Sequence, residues 1–354
     1  MTTTRTTPRP TPYPMTPRQP GSVPIAVWLS FLWALLHLSL GILYVAGRGP
    51  APWTSAEATV LAGLSTSTVV PAILGLTLVS VAALASGTAA RGGAARVSGI
   101  VLVAVGLVVA LVIGDTRSLA TLGYLPLLLL GLVGLGPAAH LDLGLLGSSM
   151  LSLSHTVGGL ALVLTGLAVL ARSRVHSPAA GHPAQRRATA QRRTTARRVG
   201  RWSVAVAVVV PLTYAATRIA WALGIPFGVR DEFLVELGDG KYAGLGLGLF
   251  AVVGSLLTLG LVQRWGEVFW WWVPRIGGRS VPVGMAVVPA LLVATSVTSA
   301  GLGFGRLLVI GDVSQLPGGT ADWAAWAPEL LWVPWGIALG VAAVSYRIRR
   351  EADR

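Results

Sequence analysis

Apolar residues gather into nine runs: 23–46, 69–86, 97–114, 119–137, 150–171, 203–223, 243–262, 281–302 and 330–346. Each has about the 17–25 residues that a helix needs to cross a bilayer. Backbone groups in lipid must find their hydrogen bonds within the segment, so each run predicts a helix. The pattern therefore predicts an all-α fold, a polytopic transmembrane helix bundle.

Nine runs conflict with the charges between them. The segment 172–201 holds nine arginines and no acid, and the C-terminal tail holds Arg347, Arg349, Arg350 and Arg354. Positive charge marks cytoplasmic loops, so both belong inside. The loops between agree. Asp231, Glu232, Glu236 and Asp239 lie in 224–242, placed outside, and Arg264, Arg275 and Arg279 lie in 263–280, placed inside. Arg5, Arg9 and Arg18 place the N-terminus inside, and Arg91 and Arg96 do the same for the turn at 87–96. An even number of crossings must then precede residue 172. The run 119–137 contains Gly123, Pro126, Gly131, Gly134, Gly136 and Pro137, and is the weakest. It is expected to be a re-entrant helix or half-span. Eight crossings follow, with 21 of 27 basic residues inside, five outside and Arg218 within a span. The alternative is nine crossings with the N-terminus outside.

The expected organisation is a disordered tail at 1–22, a first membrane half at 23–171, an Arg-rich cytoplasmic linker at 172–201, a second half at 202–346 and a basic tail at 347–354. The first run exceeds the h-region of a signal peptide, which predicts an uncleaved span. Charged residues make up 11% of the chain and the net charge is +14. The excess charge sits in loops and tails, with no basic face carrying stacking aromatics, which argues against nucleic-acid binding. It points instead to anionic lipid headgroups at the Arg-rich segment. The absence of cysteine excludes disulfides and thiolate chemistry. Twenty-six arginines beside one lysine, with abundant Ala, Gly and Val, suggest a GC-rich bacterial genome and so a plasma membrane.

The halves share short patterns. Trp33-Ala34-Leu35 corresponds to Trp221-Ala222-Leu223, and Gly92-Gly93 to Gly277-Gly278, at offsets of 188 and 185 residues. Four crossings per half would make this a parallel internal repeat. The stretches Thr217–Pro226 and Leu261–Phe269, with Trp272-Val273-Pro274, resemble an uncharacterised family of multi-pass membrane proteins from high-GC Gram-positive bacteria. That resemblance implies membrane location and assigns no activity.

Few residues are candidates for chemistry. Arg218 lies within a span, and the expectation is that it snorkels to the outer headgroups or stacks on Trp221. A functional reading pairs it with Glu57, Asp231 or Glu232, or with an anionic ligand. His37 and His155 are candidates for interhelical hydrogen bonding or a ligand contact. Arg264, Trp265 and Glu267 end the seventh run, with Arg264 and Glu267 as a local pair and Trp270-Trp271-Trp272 as an interfacial anchor. Gly244 and Gly248 form a small-residue packing face. No Walker A, HExxH or GxSxG pattern occurs, and nothing predicts a cofactor or a metal. Three functions fit: a permease-like or channel-like protein, a non-transporting scaffold or accessory subunit, and an intramembrane lipid-modifying enzyme.

Overall fold

A computed structural model describes residues 25–51, 53, 59–132, 143–173, 183–310 and 318–351. The expected tail at 1–22 and the acid Glu57 lie outside the described residues. The first half comprises α1 (Ile25–Val45), α2 (Thr66–Ala89), α3 (Gly93–Val108), a π-helical turn (Val109–Ile113), α4 (Thr116–Leu132) and α5 (Leu143–Ser173). The second comprises α6 (Pro183–Ala222), α7 (Asp231–Leu237), α8 (Gly240–Leu259), α9 (Val283–Val309) and α10 (Trp332–Glu351). Among the described residues, eight helices are long and apolar enough to cross a membrane, and α4 and α7 are not among them.

The geometry explains why α4 does not add a crossing. Asp115 follows the end of the third span, and its carboxylate accepts a hydrogen bond from Ser152, near the start of the membrane part of α5, at 2.5 Å. The chain thus leaves α3 and enters α5 at the same end of the bundle. α4 starts at that end, so it begins on the face where α5 enters the bundle. Asp115 also starts α4. Its Oδ1 accepts the Arg117 N–H at 2.9 Å, satisfying a donor that a helix N-terminus leaves open, and its carbonyl accepts the Ser118 hydroxyl at 2.8 Å.

The Arg-rich segment is helical over much of its described length. From Pro183 onward it is helix, continuous with the sixth run as a 40-residue α6. At 1.5 Å per residue this is about 60 Å, roughly twice the hydrocarbon thickness of a bilayer. Its arginine-bearing turns therefore extend past the membrane on the face that also carries the 264–282 turn and the end of α10. That face is called the basic face below.

The halves share part of their packing order, although α2 packs on α3 while α8 and α9 make no comparable contact among the described residues. In the first, α5 packs on α3 and α1, and α1 on α2; in the second, α10 packs on α9 and α6, and α6 on α8. They meet where α9 lies against α4, α5 and the π-helical turn. Small residues set the spacing. A Cβ on Gly106 would lie 2.6 Å from the Gly159 carbonyl oxygen, one on Gly166 2.6 Å from that of Gly99, and one on Gly336 2.6 Å from that of Ala294. The α3–α5 and α9–α10 backbones are therefore in direct contact, as small residues allow in lipid. Leu84, Leu102, Val109 and Leu162 fill the first half, and Val204, Val287, Leu339 and Tyr346 the second.

The face opposite the basic one is closed by a clasp. Arg230 donates through Nη2 to Asp322 Oδ2 at 2.7 Å, and its backbone N–H donates to Oδ1, also at 2.7 Å. Gly228 allows the two loops to touch. Its φ is +69°, and a Cβ there would lie 2.5 Å from that of Ala324. Asp322 is fully buried, and the hydrogen bonds from Arg230 hold its carboxyl below the usual carboxylate range.

Candidate functional site

Three polar clusters interrupt the apolar bundle. The first lies inside the first half. His37 of α1 and His155 of α5, separated by 118 positions, stack with ring centroids 4.4 Å apart, and Trp33 adds a third ring 4.8 Å from His37. His37 and His155 are 0% and 2% exposed. His37 Nδ1–H donates to the Trp33 carbonyl at 2.9 Å. This fixes the tautomer and leaves Nε2 as a lone pair, without a hydrogen-bond partner among the described residues. Gly158 makes room for the indole, since a Cβ there would lie 2.2 Å from Trp33 Cγ.

Asp115 and Ser152 continue this polar seam toward the junction of the halves. There a Cβ on Gly114 would meet Ser299 Oγ of α9 at 2.9 Å. The π-helical turn at Val109–Ile113 leads directly into Gly114. Such turns widen a helix locally and recur near functional positions. Among the described residues, no three His, Asp or Glu side chains are grouped to hold a metal ion.

The second cluster surrounds Arg218 and overturns the snorkelling expectation. The residue is 7% exposed. Its guanidinium lies between Tyr214 and Trp221, 4.4 and 4.3 Å from the ring centroids. Nη1 donates to the Ala324 carbonyl at 3.1 Å and to Thr217 Oγ1 at 3.2 Å, and Nη2 donates to the Ala325 carbonyl at 3.3 Å. Stacking on Trp221 is as expected from i,i+3 spacing. The acid is not one of those expected: it is Glu329, 3.9 Å from Nη2. The predicted small-residue face supports the same side chain. A Cβ on Gly248 would stand 3.2 Å from Arg218 Cβ, and one on Gly244 3.5 Å from Cδ. Arg218 is thus enclosed by α6, α8 and the loop before α10, and two of its three hydrogen bonds go to that loop's backbone.

The third cluster is the turn after α8. Arg264, Trp265 and Glu267 come together there, but Glu267 does not pair with Arg264. It accepts from Arg349 of α10 at 3.3 Å. Arg349 also donates to the Leu261 carbonyl, and the Tyr346 hydroxyl donates to that of Gly266 at 2.9 Å. An antiparallel bridge between Val268 and Ser280 folds the turn back on itself. This leaves Trp270, Trp271 and Trp272 exposed at its tip, with Trp271 at 88%.

Comparison of the chain with protein-family models, with curated proteins and with solved structures found no match. The site therefore rests on its own geometry. Sequence reasoning named Arg218, His37 and His155 but missed Asp115 and the Arg230–Asp322 pair. An acid immediately followed by Thr-Arg-Ser at the end of an apolar run is a helix-start signal, and it marks Asp115 in retrospect. No local pattern links Arg230 to a residue 92 positions away.

Proposed function

We propose that the protein is a non-transporting scaffold or accessory subunit of a bacterial plasma membrane, with its basic face and both termini in the cytoplasm. The observation that carries this reading is the closed interior. The α3–α5 and α9–α10 backbones touch at glycines, which leaves no lumen along either seam. The residues best suited to a pathway, His37 and Arg218, are 0% and 7% exposed, and His37 Nδ1 and the Arg218 guanidinium donate to the protein's own carbonyls. Such an arrangement is suited to presenting a fixed surface to lipid or to a partner.

The absence of cysteine permits a direct test. Ser30 is fully buried, its hydroxyl 3.2 Å from that of Thr165 across α1 and α5. In Ser30→Cys, a membrane-impermeant thiol reagent should leave the folded protein unmodified and label it after denaturation. Val235→Cys, at an 80% exposed position, should be labelled at once. Labelling of folded Ser30→Cys would reject the scaffold reading. The orientation is tested separately, with a reporter active only in the cytoplasm. Fusions after residues 190 and 351 should both be active, and silence at either would reverse or break the topology.

One observation favours a permease instead. The polar seam of His37, His155, Asp115, Ser152 and Ser299 runs to the junction of the halves, where a parallel-repeat carrier would place its substrate. The part of the packing order that the halves share supports such a repeat.

A further inference from the structure

The basic face carries a cleft of about 250 Å³. Its walls are Arg197 and Arg201 of α6, Val262, Arg264 and Glu267 of the turn after α8, and Arg349 of α10. Four guanidiniums thus converge with a single carboxylate. That carboxylate is already engaged, because Glu267 accepts from Arg349. Arg197, Arg201 and Arg264 are exposed, and their guanidiniums make no hydrogen bond or ion pair with any described residue. Arg197 and Arg201 stand at i and i+4, where like charges repel unless a counter-charge lies between them.

A second depression adjoins this cleft and shares Arg197 and Arg201 with it. Its remaining walls are Thr194, Arg198, Trp202 and Ala205. It leads onto the outer surface of α6, where Trp202, Val206 and Val209 are 70%, 42% and 61% exposed. That surface enters the apolar part of α6, which faces lipid. On the other side stands the tryptophan turn, where Trp265 and Trp270 pack at 5.9 Å and Trp270 and Trp272 at 5.3 Å. Tryptophans favour headgroup depth, so the cleft lies at the level of lipid phosphates.

We propose that this cleft is a binding site for one anionic phospholipid. The headgroup phosphate sits among Arg197, Arg201 and Arg264, and an acyl chain follows the groove past Trp202 and Ala205. Guanidiniums suit the phosphate because each presents two parallel N–H donors. The adjoining apolar groove favours an amphiphile over a free anion, which would use the polar cleft alone. A site of this kind differs from diffuse attraction of the whole Arg-rich segment to a charged leaflet, because it depends on particular arginines. It holds equally for a bundle that transports and for one that does not.

The test uses the full chain, purified in detergent and stripped of lipid. Thermal stability and lipid adducts in native mass spectrometry are recorded with phosphatidylglycerol, with phosphatidylcholine, and with inorganic phosphate at matched concentration. Phosphatidylglycerol should stabilise the protein and leave one retained adduct; the other two should do neither. Arg201→Gln/Arg264→Gln should weaken the apparent affinity by about tenfold or more. Both side chains are exposed, so the double variant keeps its core, and its unliganded stability should match wild type. Arg192→Gln/Arg347→Gln removes the same charge away from the cleft and should bind like wild type. Equal stabilisation by phosphatidylcholine would overturn the proposal. Equal stabilisation by inorganic phosphate would reassign the site to a soluble anion and overturn the lipid. An equal loss in both double variants would reduce it to diffuse charge.

Discussion

Replacing Arg218 by lysine distinguishes a latch from an anchor. A snorkelling cation is interchangeable with lysine, because both reach the headgroups. The enclosed guanidinium is not. It makes three hydrogen bonds, to Ala324, Ala325 and Thr217, and lies between two aromatic rings. A lysine ammonium keeps one of these bonds at best and cannot stack flat against both rings. Two lost charge-assisted bonds at about 1.5 kcal/mol each, with roughly 0.5 kcal/mol of stacking, place the cost at about 3.5 kcal/mol. Glu329 at 3.9 Å adds little for lysine to recover. Arg218→Leu goes further, leaving the two carbonyls and Glu329 without their cation, and should cost about 3–5 kcal/mol. The assay is thermal unfolding in detergent followed by tryptophan fluorescence, with hydrogen exchange at Ala324 and Ala325. Stability should fall in the order wild type, Lys, Leu, and exchange at that loop should rise in both variants. A lysine variant with wild-type stability and unchanged loop exchange would refute the latch.

Two further outcomes follow from the same packing. A Cβ on Gly159 would lie 2.6 Å from the Ala110 nitrogen, so Gly159→Ala must push α3 and α5 apart, costing about 1–3 kcal/mol in thermal stability. Gly246→Ala, which meets nothing within 4 Å, should be neutral or slightly stabilising, and a neutral Gly159→Ala would refute backbone contact as the seam's basis. The clasp should respond to acid. The Asp322 carboxyl titrates below its unfolded value of about 4, so its contribution is whole above that pH and is lost as pH falls through the depressed folded value. Protease resistance of the 224–230 loop should accordingly hold from pH 8 to 5 and drop below pH 4, and Asp322→Asn should show the weakened state throughout; resistance unchanged in that variant would remove the clasp from the account.

Hydropathy alone locates the spans, because a bilayer imposes one length and one polarity on each of them. Loop arginines further reduce nine runs to eight crossings, and the Asp115–Ser152 contact gives the physical reason. The limits of sequence reading appear where partners are distant. Arg218 signals its cost by its position, and Trp221 at i+3 gives one contact, but the accepting carbonyls lie 106 and 107 positions away in a 3₁₀ turn without a recognisable pattern. Glu267 has Arg264 three residues before it and bonds Arg349 instead, because the chain turns at Gly266 and brings α10 nearer. His37 and His155 look like isolated polar residues on separate runs. Only the α1–α5 packing, which no periodicity encodes, brings their rings together. The arginine segment reads as a linker because its charges mask a helix that tertiary packing against α10 stabilises, where a Cβ on Gly200 would lie 3.1 Å from Ser345 Cβ.

The closed interior is tested most directly at the junction of the halves, where any pathway between them would pass. Ser299 of α9 is fully buried there and faces Gly114. Ser299→Cys is close to isosteric and introduces the chain's only thiol. The measurement is its modification rate by a membrane-impermeant reagent, applied from each side of sealed vesicles for long enough to sample rare openings. A closed bundle predicts no modification from either side and complete modification after denaturation. Modification of the folded protein from either side would show that water reaches the junction, contradict the scaffold account and restore the permease.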